Sequence, residues 1–215
     1  MDIKRHKVFI SYYHNDDQYY KNYLTDINKY YIYDREIKDY ISPFEDYSVR
    51  NGDIDDSNLS SEQIRRIIRD EYIKDATVLI LLCGKNSKYR KHIDWEIHGA
   101  MYDSEKNPKM GIVVINLPTI SNQQFVRASE ESEKDIIDKG GHWITLKTRE
   151  EYEKAYPYMP SRIIDNFEKQ VSISVIDWNA IENNPEKLMI LINNAFNRRK
   201  NTNYDHSAPL RRKNS

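Results

Sequence analysis

A single cysteine, Cys83, in 215 residues removes any disulfide framework and any zinc site built on cysteine pairs. No apolar run approaches the roughly 20 residues needed to cross a bilayer. The opening Met1-Asp2-Ile3-Lys4-Arg5-His6-Lys7 is polar and has no h-region, so no signal peptide is expected. Charge of one sign is missing as well. The 33 Lys and Arg against 34 Asp and Glu leave a net charge of −1, too weak a field to draw the chain to nucleic acid or a membrane. Glycine is scarce, at 6, and Gly84-Lys85-Asn86-Ser87 lacks the spacing of a Walker loop. There is no internal repeat. What is present is a chain long enough for one α/β domain, with its aliphatic residues in short blocks and 17 tyrosines to place at half-buried positions. The expected location is the cytoplasm.

The blocks read as strands and helices in alternation. Val8-Phe9-Ile10 is a buried first strand that breaks at Ser11-Tyr12-Tyr13-His14. Asn15-Asp16-Asp17 offers a cap and an acidic first turn for a helix carrying Tyr19, Tyr23, Leu24, Ile27, Tyr30 and Tyr31 at helical spacing. Ile41-Ser42-Pro43-Phe44 predicts an edge strand, where proline is tolerated. Asn51-Gly52-Asp53 is a turn signal, and Ser60 with Gln63 is a capping box opening a helix that faces inward through Ile64, Ile67 and Ile68. Thr77 to Cys83 does not alternate, as expected of a central parallel strand buried on both faces. A helix over about 90–104 turns Ile93, Ile97, Ala100 and Met101 inward, and Met110 to Ile115 is the next strand. Residues 121–141 read as a polar insertion or loop, Trp143 to Leu146 as a short strand, and Val171 to Ile176 as the fifth strand. Pro185 opens a closing helix, and residues after about Asn201 read as a disordered, solvated tail.

This alternation predicts a mostly parallel five-stranded sheet with helices on both faces. In the flavodoxin-like order 2-1-3-4-5, ligands bind beyond the carboxyl ends of the strands where the order reverses, between the first and third. Two segments would meet there: Ser11 to His14, and Cys83 to Ser87 with the helix behind it. Glu96 lies on that helix beside the Ile93/Ile97 stripe.

Three segments carry a family resemblance. Lys7-Val8-Phe9-Ile10-Ser11-Tyr12 resembles the first box of TIR domains, and Phe44-Glu45-Asp46-Tyr47-Ser48-Val49 resembles the Asp-x-Ser-Val segment of the TIR-like group. Val78 to Gly84, with Ser87 and then Asp94-Trp95-Glu96-Ile97, resembles the segment that holds the TIR catalytic glutamate. Together they are similar to the TIR-like proteins of the Thoeris antiphage system. The resemblance implies a flavodoxin-like TIR domain over about 1–200, with insertions near 31–41 and 121–141 and a tail at 201–215. It implies NAD⁺ as substrate with no further cofactor and no metal, and Glu96 as the catalytic residue. Ser11, Tyr12, Tyr13, Asp46, Ser48, Gly84 and Ser87 would bind substrate. It also implies an unidentified phage trigger and a separate effector reached through the nucleotide product. Self-association is left open.

One carboxylate suffices for that chemistry. Nicotinamide in NAD⁺ is already a cationic leaving group, so the paired acid and base of a glycosidase are not needed. An anion beside the ribose stabilises the oxocarbenium-like centre and orients its hydroxyls. Tyr12 and Tyr13 would cover a ring of the dinucleotide. The plainer readings are a surface or salt-bridged Glu96, core tyrosines, and turn roles for Asp46 and Ser48. Trp95 reads as packing, and Cys83 as a small buried hydrophobe. His14 and His98 have no Ser or Cys nucleophile to serve, and His92 with Glu96 lacks a third metal ligand. A TIR-type interaction module without activity is the competing function, because the fold hosts both.

Overall fold

The computed structural model describes residues 5–26, 31–35, 38–48, 57–105, 107–120 and 124–214. Ile27, Tyr30 and the Asn51-Gly52-Asp53 signal lie outside them. In chain order the elements are β1 (Lys7–Ser11), α1 (His14–Thr25), the antiparallel pair β2 (Ile32–Asp34) and β3 (Asp39–Ile41), β4 (Glu45–Asp46) and α2 (Ser61–Ile67). Next come β5 (Val78–Cys83), α3 (Lys91–Met101), β6 (Gly111–Asn116), α4 (Lys134–Ile137), α5 (Arg149–Ala155) and α6 (Ser161–Glu168). β7 (Ser174–Asp177), α7 (Trp178–Ile181) and α8 (Pro185–Arg198) complete the set.

The main sheet runs β4-β1-β5-β6-β7, and every adjacent pair is parallel. Counted by main-sheet strands this is 2-1-3-4-5, the flavodoxin-like order that the strand–helix alternation predicts. Successive strand side chains point to opposite faces, and here both faces are covered. Phe9, Leu79, Leu81, Cys83, Ile112 and Val114 pack in one cluster with Ile64, Ile93, Trp95, Ile97 and Phe167. Val8, Ile10, Val78, Ile80, Leu82, Val113 and Ile115 pack in the other with Leu24, Trp178, Leu188, Leu191 and Ile192. Continuous apolar runs rather than alternation follow from this two-sided burial.

Several elements depart from the sequence expectation, each for a local reason. The edge strand is Glu45–Asp46 rather than the segment around Pro43. The ladder begins only past the proline, which has no N–H to give, with Glu45 N donating to His6 O at 2.9 Å and Tyr47 N to Val8 O at 2.8 Å. The stretch near 31–41, read from the sequence as an insertion, carries the antiparallel β2–β3 pair. α1 starts at His14, one residue before the expected cap, and Tyr19 on it is 63% exposed rather than inward. The 60–63 capping box is formed, but past Ile67 the helix widens into a π-turn over Ile68–Tyr72. Gly99 lets α3 lie against that turn, since a Cβ there would meet the Ile68 and Ile73 side chains at 3.0 Å.

The segment 124–141 is not a solvated loop. Glu133 is fully buried and accepts from Ser129 N, Ser174 Oγ, Asn194 and Arg198, so its charge is answered inside the protein. Arg127 pairs with Val175 on the outer side of β7. That edge being taken, Trp143 to Leu146 runs without joining the sheet. The expected disordered tail is likewise corrected: Tyr204 and Leu210 are buried, and residues 202–214 are tied to α3 and α6. No helix among the described residues is long and apolar enough to cross a membrane.

α1 places Asp17 in the interior against Gly84. Its Oδ2 has no hydrogen-bond partner among the described residues, and burial, reinforced by Asp16, raises it to about 6. Below the unfolded value of about 4 both states are protonated. Between there and about 6 only the folded chain keeps the proton, so stability falls as pH rises, by about 3 kcal/mol in all. Asp17→Asn lacks this loss. Denaturant titrations at about pH 4 and about pH 8 are expected to show the Asn variant gaining roughly 2–3 kcal/mol on the wild type at the higher pH. An unchanged difference would rule out a buried ionisation.

Candidate functional site

β1 and β5 are neighbours at the point where the strand order reverses, and their carboxyl ends open together. The side-chain parity of β1 then decides what faces which helix. Ser11 has the parity of Phe9, so it points to the α3 side. Its hydroxyl donates to Glu96 Oε2 at 2.6 Å, and Ser11 is itself almost completely buried. Glu96 is half-buried, enclosed by protein yet still touched by solvent. Burial pushes its carboxyl up to about 7, and the Ser11 hydrogen bond partly opposes the rise. Among the described residues no cation pairs with it.

The two tyrosines diverge, as successive residues leaving a strand do. Tyr13 packs on the α3 side, with the Arg90 guanidinium 3.8 Å above its ring centroid. Tyr12 packs on the opposite side, stacks on His14 with centroids 4.2 Å apart, and donates to Gln18 at 2.9 Å. Burial raises its phenol, the Gln18 bond partly opposes the rise, and the negative carboxylates of Glu96 and Asp46 add to it.

The remaining sequence candidates hold backbone. Ser48 Oγ accepts from Ile10 N at 2.9 Å, tying the chain after β4 to β1. Asp46 accepts from Ser48 N at 2.9 Å and pairs with Lys21 at 3.0 Å. Ser87 is buried; its hydroxyl accepts from Gly84 N at 2.9 Å and donates to Leu82 O at 3.2 Å, closing the turn that follows β5. Gly84 has no room for a side chain, because a Cβ would run into the Asp17 carboxylate. Ser11, Tyr12, Tyr13 and Glu96 therefore gather at the rim, whereas Ser48, Gly84 and Ser87 shape the main chain around it. His98 is buried, and that burial pushes it down to about 4, so it stays neutral. Among the described residues no group of three metal-ligating side chains converges.

Three features of the region have no signature in the sequence. Arg90, just ahead of α3, lies over Tyr13. Asp17 backs the β5 turn. Gln124, from the 121–141 segment, donates to Asn116 Oδ1 at 2.9 Å and to Cys83 Sγ at 3.4 Å, while Asn116 donates to Asp177 at 2.9 Å. That buried polar row crosses the carboxyl ends of β5, β6 and β7. It borders a cavity of about 880 Å³, walled also by Phe125, Trp143, Tyr152 and Tyr156. The cavity lies away from Glu96, and none of the eight sequence-predicted site residues lines it. Partner identity, rather than periodicity, fixes all three features, so no local pattern marks them.

A parallel sheet in this order, with a half-buried glutamate on the helix after the third strand meeting a serine at the end of the first, agrees with the TIR-like fold that the sequence resembles. The family model described as Thoeris protein ThsB, TIR-like domain, matches residues 9–122, more than half of the chain. The chain belongs to that family, and with it to the TIR-type proteins of Thoeris antiphage defence. No curated protein and no solved structure matches it significantly.

Ser11→Ala is expected to raise Glu96 further above about 7, because the hydroxyl is the one group holding it down. A ¹³C-carboxyl titration by NMR measures this. An unchanged or lowered midpoint would mean that the Ser11 bond does not govern the ionisation of Glu96.

Proposed function

We propose that the chain cleaves nicotinamide from NAD⁺ at Glu96 and releases an ADP-ribose-derived signal that activates a separate antiphage effector. The observation that carries this reading is the state of Glu96: a carboxylate at the strand-order reversal, held by a neutral hydroxyl at 2.6 Å and by no cation among the described residues. Its charge is left for a cationic group. The nicotinamide ribose of NAD⁺ supplies one.

In this reading the C1′–N bond breaks with its electron pair leaving on nicotinamide, which departs neutral. The Glu96 carboxylate stabilises the positive charge that develops on the ribose and holds its hydroxyls. Tyr12 and Tyr13 line the approach and limit water there. The ribose cation takes the nearest nucleophile. A nucleophilic atom of the same molecule gives a cyclic isomer of ADP-ribose, the product favoured here, and a bound small molecule gives a conjugate. The proton released in ring closure can pass to Glu96, whose value near 7 suits it to accept one.

Glu96→Gln keeps size and removes charge. It is expected to lower NAD⁺ consumption by about 10²-fold or more while the protein stays folded. Mass spectrometry of the products, with melting as the folding control, tests it, and near-normal turnover in a folded variant would sink the assignment. The wild-type kcat/KM is expected to rise with pH through about 7 as Glu96 ionises. Tyr12→Ala and Tyr13→Ala are expected to weaken substrate use more than they lower the melting temperature. If both mainly unfold the protein, the tyrosines are core residues and the pocket lies elsewhere.

A further inference from the structure

We propose that the C-terminal strap, residues 202–214, is a positioning element for Glu96, fixing the first turns of α3 through directional hydrogen bonds. Its effect on catalysis rests on the NAD⁺ reading above; the positioning itself does not.

α3 begins without a side-chain cap of its own. The four N–H groups that open a helix need outside partners. The strap provides one for the first of them: Lys91 N donates to Asn214 Oδ1 at 2.9 Å. One turn on, Asp94 Oδ2 accepts from Arg211 N at 2.9 Å. The next residue, Trp95, is buried and donates from Nε1 to Arg211 O at 2.7 Å. Lys91, Asp94 and Trp95 are thus all bound to the strap, and the last two directly precede Glu96.

The strap is anchored from behind. Arg162 of α6 is buried, forms a two-pronged pair with Asp94 at 2.9 and 3.1 Å, and donates to Ala208 O and Pro209 O. Asn166 bonds Asp205 through both main-chain groups, and Tyr204 donates to Met110 O at 3.0 Å. At its far end Arg212 donates to Leu59 O and Ser61 Oγ, at the start of α2. A segment that only covered apolar surface would need Tyr204 and Leu210 and little else. The bonds of Arg211 and Asn214 meet at the α3 start, where they fix direction as well as contact, and the others anchor the strap around them. The 2.6 Å bond from Ser11 to Glu96 tolerates little displacement of that start, and a catalytic group displaced by about 1 Å can lose on the order of 10²-fold in rate.

The test uses the full chain in three forms: Asn214→Ala/Arg212→Ala, Trp95→Phe and Asn214→Asp. The first two remove strap bonds while leaving Ser11 and Glu96 in place, and the third keeps an acceptor oxygen for Lys91 N. The readout is the Glu96 carboxyl titration by ¹³C NMR, with melting and NAD⁺ turnover alongside. In the first two variants the midpoint is expected to fall from about 7 toward the ordinary carboxylate range as the site loosens to water, and kcat to fall about tenfold with a smaller change in KM. Asn214→Asp is expected to match the wild type. A midpoint that stays put in both bond-removing variants, even where melting drops, overturns the proposal and leaves the strap a packing element. The titration needs no turnover. A wild-type protein that leaves NAD⁺ intact therefore overturns the proposed function, while the titration still decides whether the strap positions Glu96.

Discussion

The β1–β5 pair lies between two apolar layers, and that burial constrains everything else in the molecule. A strand covered on both faces can carry a polar side chain only where that group finds a partner in the interior. Polar chemistry is therefore pushed to the ends of the strands. At the carboxyl end of this pair, Ser11 is the first polar side chain after Val8-Phe9-Ile10, and Gly84 is the first residue after Cys83. Because strand order reverses there, no crossover covers the opening, and α3 sets a carboxylate against it.

This constraint also explains which parts are legible in the sequence. Val78 to Cys83 and Ile112 to Ile115 mark a buried parallel sheet, because each is an unbroken apolar run bounded by polar or turn residues. Strand order and the meeting of Ser11 with Glu96 follow from that sheet, from parity and from the family resemblance. The segments 124–141 and 202–214 look solvated in the sequence because they are polar. Polarity signals solvent only when the polar groups lack partners, and Glu133, Asn166 and Asp205 find theirs in residues distant in sequence. α5 and α6 are hidden for a related reason: each spans about two turns, too short for periodicity to show. The Thr148 capping box at the start of α5 is its one local sign.

The α3 strap illustrates how a small domain holds a precise site. Arg162 and Asp94 are both buried, and a buried pair adds little net stability over an apolar replacement, whereas losing one partner costs roughly 3–5 kcal/mol. Such a pair is better understood as fixing geometry than as adding stability. Here it locks α6, the strap and the α3 start into one arrangement. At the other end of α3, Gly99 allows close contact with the π-turn at Ile68–Tyr72. The helix is thereby held at both ends, with Glu96 between them.

Partners sort the carboxylates Asp17, Asp94, Glu96 and Glu133 by role. Asp94 faces an arginine, so its charge is answered within the protein. Glu133 is answered by Arg198 and by hydroxyl and amide donors. Asp17 has a side-chain partner for only one oxygen and keeps its proton up to about 6. Of the four, Glu96 alone combines access to solvent with a single neutral donor. Asp94 and Glu96 are two residues apart on one helix, about 200° around its axis, so the guanidinium that answers the first is turned away from the second. A cation beside Glu96 would lower its carboxyl and cancel its field. The separation of the two carboxylates on α3 leaves Glu96 at the rim with no cation of the described residues beside it, so above about 7 it holds a negative charge that no neighbouring side chain answers.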